Sequence, residues 1–193
     1  MFDNPYEFHF LGETQTLIKD PVSRLNYRFK AKKRTYFVTI EVFNTGLAAI
    51  KYCDVKDKGA HNAYKKIFND LDAFRVITTC LFIMLSYWKK NPTTSFAFYA
   101  VPREWRAAIL EEKTLTESQV SEFIEEYKRV RFNIYNYAML NLFSPENFTP
   151  FRDTKNCVYV LLNKFQSRPV STLNSLIKYL FDNYNLIFEL DDD

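Results

Sequence analysis

Polar and apolar residues alternate with period two through the first 53 positions, most clearly in NYRFKA (26–31) and RTYFVTIEVF (34–43). These segments are rich in Tyr, Phe, Val, Ile and Thr. Alternation sends successive side chains to opposite faces of a strand, and these residue types fit a pleated, half-buried surface. The pattern therefore predicts strands at 6–12, 14–19, 23–31, 34–43 and 46–53. Ala31-Lys32-Lys33 turns one hairpin and Asn44-Thr45-Gly46 the next. An antiparallel meander with one face on the core is the economical arrangement.

The period changes at residues 71–90, LDAFRVITTCLFIMLSYWKK, which carry no charge from Val76 to Trp88. That run is too short for a bilayer core, which needs about 20 apolar residues in a helix. Asp72 and Arg75 precede it, Lys89 and Lys90 follow it, and Thr78, Thr79 and Ser86 interrupt it. At helical spacing Phe74, Ile77, Leu81, Leu85 and Trp88 form one apolar face, and Val76, Cys80, Ile83 and Tyr87 a second. Two apolar faces predict the central helix of the domain, with a narrow polar stripe of Asp72, Arg75, Thr79, Ser86 and Lys90 that also contains Phe82. Asn69 or Asp70 is expected to cap its start, and Asn91-Pro92 to end it.

Residues 54–68 are polar, contain Gly59 and read as a loop. TSFAFYAV (94–101) reads as a strand, and Pro102 to Trp105 as a short helical turn. Thr116-Glu117-Ser118-Gln119 has capping-box spacing and opens a helix to about Leu142, stopped by Ser144-Pro145. CVYVLL (157–162) predicts a strand. A last helix begins at Pro169, with Leu173, Leu176, Ile177, Leu180 and Tyr184 on one face, and an acidic tail, ELDDD, closes the chain. The expected fold class is α+β over a single domain, 1–193: an N-terminal antiparallel meander packed on a central helix, with two further helices and one or two added strands.

Composition narrows the chemistry. A chain of 193 residues can bury one substantial core without metals or disulfides. Only three residues are glycine, which disfavours glycine-lined phosphate loops. Cys53, Cys80 and Cys157 lie far apart with no CxxC pair, so buried free thiols are expected rather than a zinc site or disulfide framework. The segment MFDNPYEFHF lacks the basic and apolar regions of a secretory signal, so a cytoplasmic protein without membrane association is expected. His9 and His61 show no triad or HExxH spacing. Asp70 and Asp72 could hold a metal, but helix-start capping accounts for them more simply. No cofactor or metal is expected.

A formal charge of +3 does not by itself demand a nucleic-acid partner, so local clustering matters more. Arg24, Arg28, Lys30, Lys32, Lys33 and Arg34 are six cations with no acid among them. On a strand Arg24, Asn26, Arg28 and Lys30 share one face, and the turn adds the rest, giving a cationic hairpin suited to phosphates. A solvated sheet face whose lysines discourage edge pairing accounts for the same residues. Arg103, Arg106, Lys128, Arg129 and Arg131 form a second group, partly neutralised if Glu125 pairs along a helix. Trp105, between Arg103 and Arg106, fits either base stacking or a protein anchor.

The stretch DLDAFRVITTCLFIMLSYWKKNPTTSFAFYA, followed at Arg131 to Tyr135 by RFNIY, resembles a pattern in small uncharacterised proteins of bacteriophages and Bacteroides-type bacteria. That pattern is an acid-Ala-Phe-Arg-Val helix start, an apolar helix, Asn-Pro, a strand and Arg-x-x-x-Tyr. Here residues 101–130 intervene before RFNIY, which departs from it. The resemblance implies a fold and a phage or bacterial origin, and carries no activity or site residue. Together these readings favour a non-enzymatic binding protein with a protein partner, in the phage setting an inhibitor or sequestering protein acting on a host defence component. A nucleic-acid-binding module using the cationic hairpin is the alternative, and a homodimer is open. The binding residues named for these readings are Arg24, Arg28, Lys30, Lys32, Lys33, Arg34, Arg103, Trp105, Arg106 and Arg131.

Overall fold

The alternating segments and the apolar helix meet in one seven-stranded sheet with a helix across it. The structure, a computed structural model, describes residues 4–16, 21–59, 72–99, 141–153 and 158–167, with single positions 116, 118, 119, 122, 133, 136, 137, 173, 174 and 178. In chain order the strands are β1 (Phe8–Gln15), β2 (Ser23–Lys30), β3 (Thr35–Val42), β4 (Leu47–Asp54), β5 (Ser95–Tyr99), β6 (Phe148–Asp153) and β7 (Val158–Asn163), with helix α1 (Ala73–Lys90) between β4 and β5. Across the sheet the order is β1-β2-β3-β4-β5-β7-β6. Every pair is antiparallel except β4 with β5. A parallel pair needs a crossover from one end of the sheet to the other, and α1 lies in that connection.

The meander follows from the alternation. In β2 the side chains of Leu25, Tyr27 and Phe29 face α1, while Arg24, Asn26, Arg28 and Lys30 face away. Beneath α1 the core joins Tyr27, Phe29, Tyr36, Val38, Ile40, Ala48, Phe96 and Leu161 to Val76, Ile77, Cys80, Leu81, Ile83 and Met84. Both apolar faces of α1 are covered, as its sequence predicts. A smaller cluster of Phe43, Leu47, Ala49, Ala97, Val158 and Val160 is buried on the opposite face of the sheet. Those positions alternate with the core residues along β4, β5 and β7, so these strands are apolar on both faces. Among the described residues no helix is long and apolar enough to cross a membrane.

Several expectations change. The two strands expected at 6–12 and 14–19 are one strand, β1, because Gly12 makes a bulge rather than a turn. Phe10 stands opposite Tyr27 and Gly12 opposite Asn26, leaving Leu11 as the extra residue. The φ of +135° at Gly12 favours a residue without Cβ. Tyr6 is not in a strand: its N–H donates to Thr79 Oγ1 (2.9 Å), its hydroxyl donates to Asp72 (2.7 Å), and the Arg75 guanidinium lies 3.9 Å from its ring centre. Residues 4–7 thus form a strap over the helix start, and Thr79, expected on a polar stripe, is fully buried beneath it. Asp72 occupies the helix N-cap position without a side-chain cap; its Oδ2 accepts from Tyr6 and from the Lys32 N–H (3.3 Å) instead. Asn69 and Asp70 lie outside the described residues. At the other end Asn91 closes the helix as expected, its N–H donating to Tyr87 and Trp88 carbonyls (3.0 Å each).

Three strands follow α1 rather than one or two, the addition being β6. Its Pro150 interrupts a strand pattern, yet β6 is a sheet edge, where a residue lacking N–H is tolerated. The two further helices expected are not established: their segments lie almost wholly outside the described residues, and α1 is the one α-helix among those described. Thr116 and Gln119 form the reciprocal capping box, Gln119 N–H donating to Thr116 Oγ1 (3.3 Å) and Thr116 N–H to Gln119 Oε1 (3.0 Å). Ser118, Gln119, Glu122, Asn133, Asn136, Tyr137, Asn141, Leu142, Leu173, Asn174 and Lys178 have helical backbone. The loop expected at 54–68 is a 3-10 turn at Val55–Asp57, with positions beyond 59 undescribed.

Candidate functional site

The β2–β3 hairpin carries the cationic cluster, and its conformation is held from three sides. The strands pair in unbroken register from Ser23↔Val42 to Lys30↔Thr35. Ala31 N–H donates to the Arg34 carbonyl (2.8 Å) to close the turn, and the Lys32 N–H donates to Asp72 at the start of α1. The backbone presenting these side chains is therefore fixed to the core helix.

The six cations separate into two sets. Glu41, buried on β3, accepts Arg24 Nε on one carboxylate oxygen (3.1 Å) and Lys51 Nζ on the other (2.7 Å), tying β2, β3 and β4 together. Asp54, also buried, accepts Arg34 Nη1 on Oδ2 (3.3 Å) and the Lys56 N–H on Oδ1 (3.0 Å). Arg24 and Arg34 are thus partly neutralised within the sheet. Arg28, Lys30, Lys32 and Lys33 are exposed and pair with no acid among the described residues. They run from the middle of β2 into the turn. Arg28 brings a planar guanidinium fork that can bind a carboxylate or phosphate bidentately, and the lysines act as point charges.

The register adds neighbours that sequence spacing does not reveal. His9 of β1 stands opposite Arg28, and so does Phe37 of β3. Phe37 is buried with Cys53 of β4, and Lys58 Nζ lies 4.0 Å from its ring centre. Lys51 and Lys58 therefore belong to this face, although they fall outside the 24–34 cluster in sequence. Strand pairing locates Lys51 and the contact with the Phe37 ring locates Lys58. Burial, followed by the nearby Asp57 and Asp54 charges, pushes the Cys53 thiol up to about 11. It is a neutral packing group, and Cys80 is likewise a buried free thiol.

Arg103, Trp105, Arg106 and Arg131, together with His61, Asp70 and Cys157, lie outside the described residues. Asp72 is engaged by Tyr6 and the hairpin turn. Among the described residues no group of three or more His, Cys, Asp or Glu side chains gathers at metal-binding distance. The hairpin face can hold an anionic surface by charge-assisted hydrogen bonds. Comparison of the chain with protein-family models, curated proteins and solved structures returned no match.

Proposed function

We propose that this chain is a non-enzymatic binding protein that engages an acidic protein partner through the hairpin. The observation supporting this reading is the sorting of its cations. Arg24 and Arg34 are committed to buried carboxylates, whereas Arg28, Lys30, Lys32 and Lys33 project from a backbone anchored to α1. A row of charges on an anchored backbone loses little backbone freedom on binding and steers an oppositely charged partner toward it. The resemblance around α1 is in keeping with a phage or bacterial origin; in a phage, such a protein would act as an inhibitor or sequestering protein for a host component.

The test is affinity capture from bacterial lysate with the wild-type chain and with Arg28, Lys30, Lys32 and Lys33 all replaced by Ala. An acidic protein recovered by the wild type, and lost with the variant or with added salt, is expected. Equal recovery by both chains would remove the hairpin from the reading. One feature favours nucleic acid as a second reading: Arg28 and Lys30 are two residues apart on a strand, roughly 7 Å, a spacing compatible with successive phosphates. On that reading a labelled single-stranded oligonucleotide binds with an affinity that falls steeply with salt, and the alanine variant flattens the dependence.

A further inference from the structure

The outer side of β1 is the least guarded edge of the sheet. β1 is the first strand in the sheet order and pairs only with β2 among the described residues, so its other side offers backbone N–H and C=O groups for pairing. From Phe8 to Gly12 it carries no Lys, Arg, Asp or Glu. Phe10 and Leu11 in its middle are 56% and 48% exposed. The opposite edge, β6, has Pro150 within it. We infer that β1 pairs antiparallel with β1 of a second copy, about a two-fold axis at His9, to form a closed dimer.

The occupant follows from the strand's own pattern. The stretch from Phe8 to Phe10 precedes the bulge, and Phe8 and Phe10 lie on the α1 side, both against Tyr27, with ring centres 6.3 and 5.2 Å from it. An axis at His9 sets Phe10 of each copy opposite Phe8 of the other, so the aromatic cluster continues across the seam. Charges also match. Glu13, beyond the bulge, with its Oε1 accepting from Gln15 Nε2 (2.7 Å), then lies toward the strap of the other copy, where Arg75 Nη2 donates to Asn4 Oδ1 (3.0 Å) and to the Pro5 carbonyl (3.4 Å). Pairing through one edge of each chain uses that edge up, so assembly stops at two.

Sedimentation of the full chain over a dilution series tests this, alongside Phe10→Lys and a His9→Cys variant under mild oxidation. The wild type is expected at the mass of two chains and Phe10→Lys at the mass of one, still folded with a cooperative melting transition because Phe10 is half exposed in the single chain, at a melting temperature lowered by the loss of association. His9→Cys should give a disulfide-linked dimer, since directly opposed strand residues lie within disulfide reach; Val55→Cys, exposed elsewhere, should not. A wild-type monomer at every concentration, a dimer that survives Phe10→Lys, or a dimer that His9→Cys does not link would each overturn the proposal. The Phe10 substitution leaves the hairpin cations in place, so capture of an acidic partner is read independently.

Discussion

Glu41 holds one cation on each carboxylate oxygen, and those cations come from strands on either side of its own. Its role is to anchor Arg24 and Lys51 rather than to meet a partner, because it is buried while they reach toward solvent. Glu41→Gln should lower stability by roughly 1–2 kcal/mol, the scale for losing charge-assisted hydrogen bonds at a partly buried site. The same change frees two cations on the hairpin face, so affinity for an acidic probe protein or oligonucleotide should hold or rise as the melting temperature falls. A parallel loss of affinity would mean that Glu41 itself belongs to the contact surface. The sequence reveals the sign and clustering of charge over 24–34, but not which cations are spoken for. Glu41, Lys51 and Asp54 enter only through the register of β3 and β4.

At the scale of elements, the parts legible in the sequence are those whose pattern is local. Alternation placed β2, β3 and β4, and Gly46 closes the β3–β4 turn with a φ of +78° that a side chain would resist. Helical spacing located α1, and the capping box at Thr116 and Gln119 is formed as its residue types require. The illegible parts depend on distant partners. Pro150, Arg152 and Asp153 hide β6 until an edge position and pairing with β7 are known. Tyr6 belongs to a strand by composition, and becomes a strap because Thr79, Asp72 and Arg75 together supply more contacts than a ladder position would. Gly12 looks like a break between strands; only the pairing with β2 shows it to be a bulge.

Across the whole molecule, buried aromatic hydroxyls and a thiol share one dependence on pH. Tyr6, Tyr27, Tyr87 and Tyr159 are raised above 10.0, chiefly by burial, and Cys53 is raised from 9.0 to about 11. A folded-state value above the unfolded one means that the folded chain keeps its protons longer as pH rises. The Cys53 contribution is therefore complete below pH 9.0 and lost as pH climbs through about 11, with the tyrosines adding to the loss from about pH 10. Urea midpoints measured from neutral to alkaline pH should fall across that window, and Cys53→Ala should shallow the early part of the fall; a flat profile would contradict the burial of these groups. The one parallel pair among the described residues, β4 with β5, carries a consequence in time. β1 to β4 join sequence neighbours, while Leu47 meets Ser95 and Phe96 meets Leu161 only after long loops close. During synthesis the first four strands leave the ribosome before α1 exists, so their aromatic face must wait uncovered for its helix. Pulse-labelled hydrogen exchange during refolding should protect amides of Tyr27 and Val38 before those of Phe96 and Val160, with simultaneous protection the result that excludes this order.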